Sequence, residues 1–342
     1  WLGLEARLHY LSSAAEAYRA FVEMGAVWRA GGKATGRGDI STHAEELLET
    51  APLLLHDLHA SLNRTLHLNG EGERCWAHTG EPNCGLHFRT IPEMFYSAAL
   101  RDDQIGEMYR MGAGAVDCAG ARGCPNSAKF LSIGCPAGGS LIFTHIPFGL
   151  AYGLLLADMA DEFLLHYFAS TAHSYTRGSW TTPESAQLDR DEWSIAYNTA
   201  GQTIAPIYLK WALAFEDPRS QTLWLAKGVP REMLEPGVAP IDAQRVPTRY
   251  GRVGLRLRAA AGGGGGGLVV HANLTLPAGF APPGGLRLRL RAPLHAGRLV
   301  AVRVGGEAWS DFDDATVSFG PAALTPALLG RARDVVATFD RA

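Results

Sequence analysis

Two periodicities divide this chain. Leu4, Leu8, Leu11, Ala15, Tyr18, Phe21 and Val22 recur at three- and four-residue steps, the spacing of one apolar helical face. From Val253 the step is two: Val253, Leu255 and Leu257 alternate with Gly254 and Arg256, as in a half-buried strand. The first pattern predicts a long helix broken by Gly31-Gly-Lys-Ala-Thr-Gly-Arg-Gly38. Thr42, three residues before Glu45, reads as a capping box opening a second helix through about Leu66. Asp39 before it reads as an N-cap. Shorter helices are expected over Pro92–Leu100 and Asp102–Met111, and longer ones over Phe148–His173 and Thr199–Phe215. Thr222–Ala226 reads as strand and Pro230–Leu234 as a helical turn. Further strands are predicted at Leu268–Leu276, Leu286–Leu290, Leu299–Val304, Ala315–Phe319 and Asp334–Phe339, with a tight hairpin at Val304-Gly-Gly-Glu307. Residues 1–235 therefore read as a domain of helical hairpins, and 236–342 as a small antiparallel β-sandwich.

With 342 residues and a formal net charge of −3, the chain can hold two domains and has no basic excess to neutralise phosphates. Nucleic acid is thereby excluded as the main partner. The alternation in Arg287-Leu-Arg-Leu-Arg291 reads as the solvated face of a strand, not as a basic patch. No apolar run reaches the roughly 20 residues of a membrane span. The Gly262–Gly267 tract lacks the Lys-Ser/Thr of a phosphate-binding loop and reads as a surface loop. The chain begins at Trp1 inside a helical pattern, which reads as a fragment whose earlier helices precede it.

Five cysteines, Cys75, Cys84, Cys118, Cys124 and Cys135, lie in Gly- and Pro-rich loops without a CxxC pair. Cys75–Cys84 and Cys118–Cys124 are disulfide candidates; Asn63-Arg-Thr65 and Asn273-Leu-Thr275 are glycosylation sequons. Both point to a secreted or lumenal protein; reduced structural thiols in a cytosolic protein are the alternative.

The densest chemistry lies in His173-Ser-Tyr-Thr-Arg-Gly-Ser-Trp-Thr-Thr-Pro-Glu-Ser185. Trp180 and Tyr175 offer flat faces with polar edges, and Arg177 a fork for a carboxylate or sulfate. Glu184, following Pro183 among aromatics, is the leading candidate for a catalytic acid. Glu93, following Pro92 in a similar setting, is the second carboxylate. For both the alternative is a helix-first-turn Glu favoured by the dipole. His173 and His166 are seven apart near one helical face, as substrate contacts or core histidines, and His145 is placed to point into the same cleft. Asp189, Asp191 and Glu192 form a charge run that reads as solvated surface. No spacing demands a metal or cofactor, and the G-x-S-x-G elbow of a serine nucleophile is absent.

Three stretches carry a family resemblance. They are His166-Tyr-Phe-Ala-Ser-Thr-Ala-His-Ser-Tyr-Thr-Arg-Gly-Ser-Trp180 with Glu184, Ala214-Phe-Glu-Asp-Pro218 through Leu223-Trp-Leu-Ala-Lys227, and Val302-Arg-Val-Gly-Gly-Glu-Ala-Trp-Ser-Asp-Phe312. With the helical-then-β order, the chain resembles the six-hairpin glycosidase superfamily. The resemblance implies a multidomain protein: a partial (α/α)6 toroid, then a β-sandwich. It also implies a carbohydrate substrate and hydrolysis by two carboxylates. A polysaccharide lyase with a Tyr or His base and Arg177 on a uronate, or a non-catalytic glycan-binding protein, are its alternatives.

Overall fold

The computed structural model describes residues 10–68, 72, 74–76, 90–114, 141–145, 148–174, 181–187, 193–194, 197–262, 267–326, 328–330 and 332–341. The chain divides into two compact units, Trp1–Ala205 and Pro206–Ala342. The order is α then β, with seven α-helices among the described residues.

In the first unit, α1 (Leu11–Thr35) and α2 (Gly38–Thr65) form a helical hairpin. The glycine run does not break α1 at residue 31. The helix continues to Thr35 and ends on Gly36, whose φ of 69° is the left-handed cap that glycine adopts without strain. Gly32 sits inside the helix because α2 passes close by. A Cβ there would overlap the Ser41 hydroxyl and lie 3.0 Å from the Arg37 carbonyl oxygen. Nor does the capping box operate. The N-cap position of α2 is Arg37, and Thr42 Oγ1 donates to the Gly38 carbonyl within the helix (3.1 Å). Asp39 stands in the first turn, paired with Arg37 at 2.5 Å. That hydrogen bond holds its carboxyl below the usual range.

The strands β1 (His67–Leu68) and β2 (Arg74–Cys75) pair after this hairpin. Next come α3 (Thr90–Tyr96), α4 (Asp102–Gly114) and β3 (Leu141–Phe143), then α5 (Phe148–Leu156) and α6 (Ala160–Ser174). The expected single helix over Phe148–His173 is thus two. Ala157–Met159 close the first with hydrogen bonds back to Gly153, Leu154 and Leu155, and Asp158 takes a left-handed φ of 58°. A three-stranded sheet orders β3, β4 (Ser185–Gln187) and β5 (Trp193–Ser194), and α7 spans Thr199–Leu213.

Helix α5 is buried almost throughout and packs on α3 with almost no spacing. A Cβ at Gly149 would overlap the Pro92 carbonyl oxygen and come within 2.6 Å of its carbon; one at Gly153 would meet Phe95 Cβ at 2.7 Å. Backbone cannot yield as a flexible side chain can, so Gly149→Ala is expected to cost about 3 kcal/mol. Thermal unfolding checks this: an unchanged Tm would mean that the two helices part without loss.

The second unit stacks two sheets on one core. Strands β8 (Ile241–Thr248), β9 (Gly251–Ala261), β10 (Leu268–Thr275), β12 (Ala296–Val304), β13 (Glu307–Trp309) and β15 (Ala332–Arg341) form a six-stranded antiparallel sheet ordered β13-β12-β15-β10-β9-β8. The hairpin closes at Val304↔Glu307 over Gly305 and Gly306, both with positive φ. The other sheet is ordered β14-β11-β7-β6, from β6 (Ala214–Asp217), β7 (Thr222–Leu225), β11 (Leu286–Arg289) and β14 (Thr316–Phe319). It is not purely antiparallel, because β7 and β11 run parallel with Leu223↔Leu286 and Leu225↔Leu288 in register. Leu223, Leu225, Leu286 and Leu288 share one core with Val253, Leu255, Leu257, Val270 and Phe339. At the end of β6, Glu216 holds Lys210 (2.6 Å) and Arg249 (2.8 Å). Burial pushes its carboxyl up, but the bonds to Lys210 and Arg249 outweigh that and keep it below the usual range.

Candidate functional site

The acid-bearing segment Thr181–Glu184 is clamped from both sides. Register Phe143↔Ser185 brings Thr144 opposite Glu184. The Thr144 amide donates to the Glu184 carbonyl (3.1 Å), and its hydroxyl to the Pro183 carbonyl (2.6 Å). On the other side Thr182 exchanges bonds with Asn198: its hydroxyl donates to the Asn198 carbonyl (3.2 Å) and its carbonyl accepts the Asn198 amide (2.8 Å). Asn198 in turn caps α7, its side-chain oxygen accepting the Gly201 amide (2.8 Å). Thr144 and Thr182 are buried while Glu184 is half-buried, so a fixed backbone presents a carboxyl group that solvent reaches.

His145, also half-buried, follows Thr144. Its carbonyl accepts the amide of Phe148 (3.2 Å), the first residue of α5. Gly149, next along, lies against the Pro92 carbonyl and so holds α3 where Glu93 stands in the first turn. Thr144 and Gly149, five positions apart, thus each hold one of the two candidate acids. Around Glu93 the setting is aromatic: Tyr96 meets Phe148 edge-on at 4.8 Å and Tyr152 at 4.9 Å. Arg19 of α1 lies 3.9 Å over the Tyr96 ring and donates to the Tyr96 carbonyl.

One acid of this group is invisible in the sequence pattern. Glu16, one turn before Arg19 on α1, has its carboxyl pushed up by partial burial and then by the negative charge of Glu93. Only the packing of α1 on α3 brings Glu16 there, and no linear signal announces it.

Other residues separate from this group or lie outside the described part. His166 is a core residue of α6, 3% exposed; burial pushes it down to about 3, so it stays neutral. The backbone of His173 lies in the last turn of α6, which packs against β3 and β4; its side chain lies outside the described residues. Tyr175, Arg177, Trp180, Asp189, Asp191 and Glu192 lie outside them too, as do Cys84, Cys118, Cys124, Cys135 and the side chain of Cys75. Among the described residues no group of three or more His, Cys, Asp or Glu converges as a metal site would, and no helix is long and apolar enough to cross a membrane.

No protein-family model matches this chain, and no curated protein matches it in sequence. Among solved structures, one described as a glycoside hydrolase is similar in space, with a TM-score of 0.35 and 11% sequence identity. The similarity covers 94% of this chain, which spans 64% of that protein's length.

Proposed function

We propose that this chain is a carbohydrate-active hydrolase, cleaving glycosidic bonds of an oligo- or polysaccharide with two carboxyl groups. In this reading its helical hairpins belong to an (α/α)6 toroid, and the protein works in a secreted or lumenal setting. The observation that carries the reading is the pair Thr144 and Gly149, of which Thr144 holds Pro183–Glu184 and Gly149, in the first turn of α5, abuts Pro92–Glu93. Glu184 donates a proton to the leaving glycosidic oxygen. Glu93, as carboxylate, acts on the anomeric carbon directly or through water. Glu16, beside Glu93 with raised proton affinity, limits the negative charge gathered there. Tyr96 and Phe148, both half-buried, supply faces on which a sugar ring can stack.

Incubating the full chain with neutral and uronate-containing polysaccharides tests this. Hydrolysis gives new reducing ends without unsaturation. Unsaturated uronates would replace hydrolysis by elimination, and glycan binding without any product would overturn the enzymatic reading.

A further inference from the structure

The outward face of the six-stranded sheet sorts its charges into rows. Leu257, Ala272, Val335, Ala337 and Val302 lie in the core, so their neighbours along each strand face solvent. One row across the strands runs Asp242, Arg256, Asn273 and Asp334, with Asn273 Nδ2 donating to Asp334 (2.8 Å). That row carries its own counter-charges. The next runs Arg258, His271, Val336 and Arg303, from β9 through β10 and β15 to β12. Arg258, His271 and Arg303 are exposed, and no acid stands among them. The closest acid by register, Asp334, is one row away and engaged by Asn273. A third row, Ala260, Val269, Thr338 and Ala301, is uncharged and short. At the bulge beside Ala301, Val300 is 48% exposed.

Cations gathered on neighbouring strands without acids repel one another. The row beside them shows that this sheet balances arginine with aspartate elsewhere. The unbalanced row also borders a floor of short, mostly aliphatic side chains. A cationic rim along such a floor is complementary to a linear acidic sugar chain, whose ring faces rest on the floor while its carboxylates or sulfates meet the guanidinium forks. From Arg258 to Arg303 is three strand spacings, about 14 Å, which suits an extended ligand lying across the strands. Three cations are few for the counterion release that drives nucleic-acid binding, and the floor has no large side chain to enter a bilayer. We propose that this face of the sandwich binds an acidic polysaccharide, with Arg258 and Arg303 holding separate acidic groups and His271 donating between them. Arg303 is already oriented, one guanidinium nitrogen donating to the Gly306 carbonyl (2.9 Å). The choice of a sugar polymer over another polyanion rests on the hydrolase reading; the binding face uses none of its acids.

Isothermal titration of the full chain with sodium polygalacturonate, dextran sulfate and dextran, at constant ionic strength, decides this. Saturable binding of polygalacturonate or dextran sulfate, but not of dextran, is expected, and the preferred polymer tells carboxylate from sulfate. Replacing both Arg258→Gln and Arg303→Gln should weaken binding at least tenfold. Arg256→Gln removes the same charge from the balanced row and should change affinity less than about twofold. All three positions are exposed, so the variants keep the fold, which an unchanged Tm verifies. Absence of saturation, an equal loss in Arg256→Gln, or tighter binding of a DNA duplex or of phosphatidylserine vesicles overturns the site. New reducing ends, assayed in parallel, report hydrolysis separately: binding without cleavage would remove the enzyme and leave this face standing.

Discussion

Glu184→Gln and Glu93→Gln chains should each lose about 10²–10⁴-fold in kcat, the range of a positioned general acid or base. The amide keeps the size and most of the hydrogen bonding of the carboxyl group while removing its proton chemistry. Both backbones are tied by other atoms: Glu184 through its carbonyl to Thr144, and Glu93 through the α3–α5 packing. Loss of turnover with unchanged Tm therefore reports chemistry and not unfolding. The Glu93 variant has a second signature. It deletes the negative charge that helps raise Glu16, so the Glu16 titration should move toward lower pH. Steady-state kinetics on whichever polysaccharide the intact chain cleaves provides the measurement. Either variant turning over at the wild-type rate would remove that residue from the mechanism.

Acid should weaken the first unit through His166. Its unfolded pKa is near 6.5 and its folded value about 3, because burial penalises the imidazolium. Between those values the unfolded chain binds more protons than the folded one. Stability therefore rises with pH across that window, by up to roughly 1.4 kcal/mol per unit, and is lost as pH falls below 6.5. Urea unfolding at pH 7.5 and pH 4.5 should differ by about 3 kcal/mol less in His166→Gln than in the parent. Equal pH dependence in both would mean that His166 is not buried neutral.

Much of this molecule was legible in the residue pattern, for identifiable reasons. Strands β9 to β12, β14 and β15 announced themselves because a two-residue period and flanking Gly and Pro are local signals. The helix from Thr199 followed from its apolar pattern, whereas its Asn198 cap went unread. What failed depended on partners distant in sequence. Gly31 and Gly32 read as a break, yet the helix runs through both, and Gly32 lets α1 pass close to α2. The break at Asp158 has no Gly or Pro to mark it. The candidate acids Glu184 and Glu93 could be picked by their Pro and aromatic neighbours. Their attachment to Thr144 and Gly149 arises from the β3–β4 register and from Gly149 against Pro92, which no window of sequence contains.

The parallel pairing of β7 with β11 bears on modularity. A cut at residue 236 looks natural from composition, but it would strip β6 and β7 from the four-stranded sheet and open the unpaired edge of β11 to other chains. Leu223 and Leu225 would leave the shared core with them. As a portable module, for gene fusion or evolutionary shuffling, the sandwich therefore starts no later than Ala214.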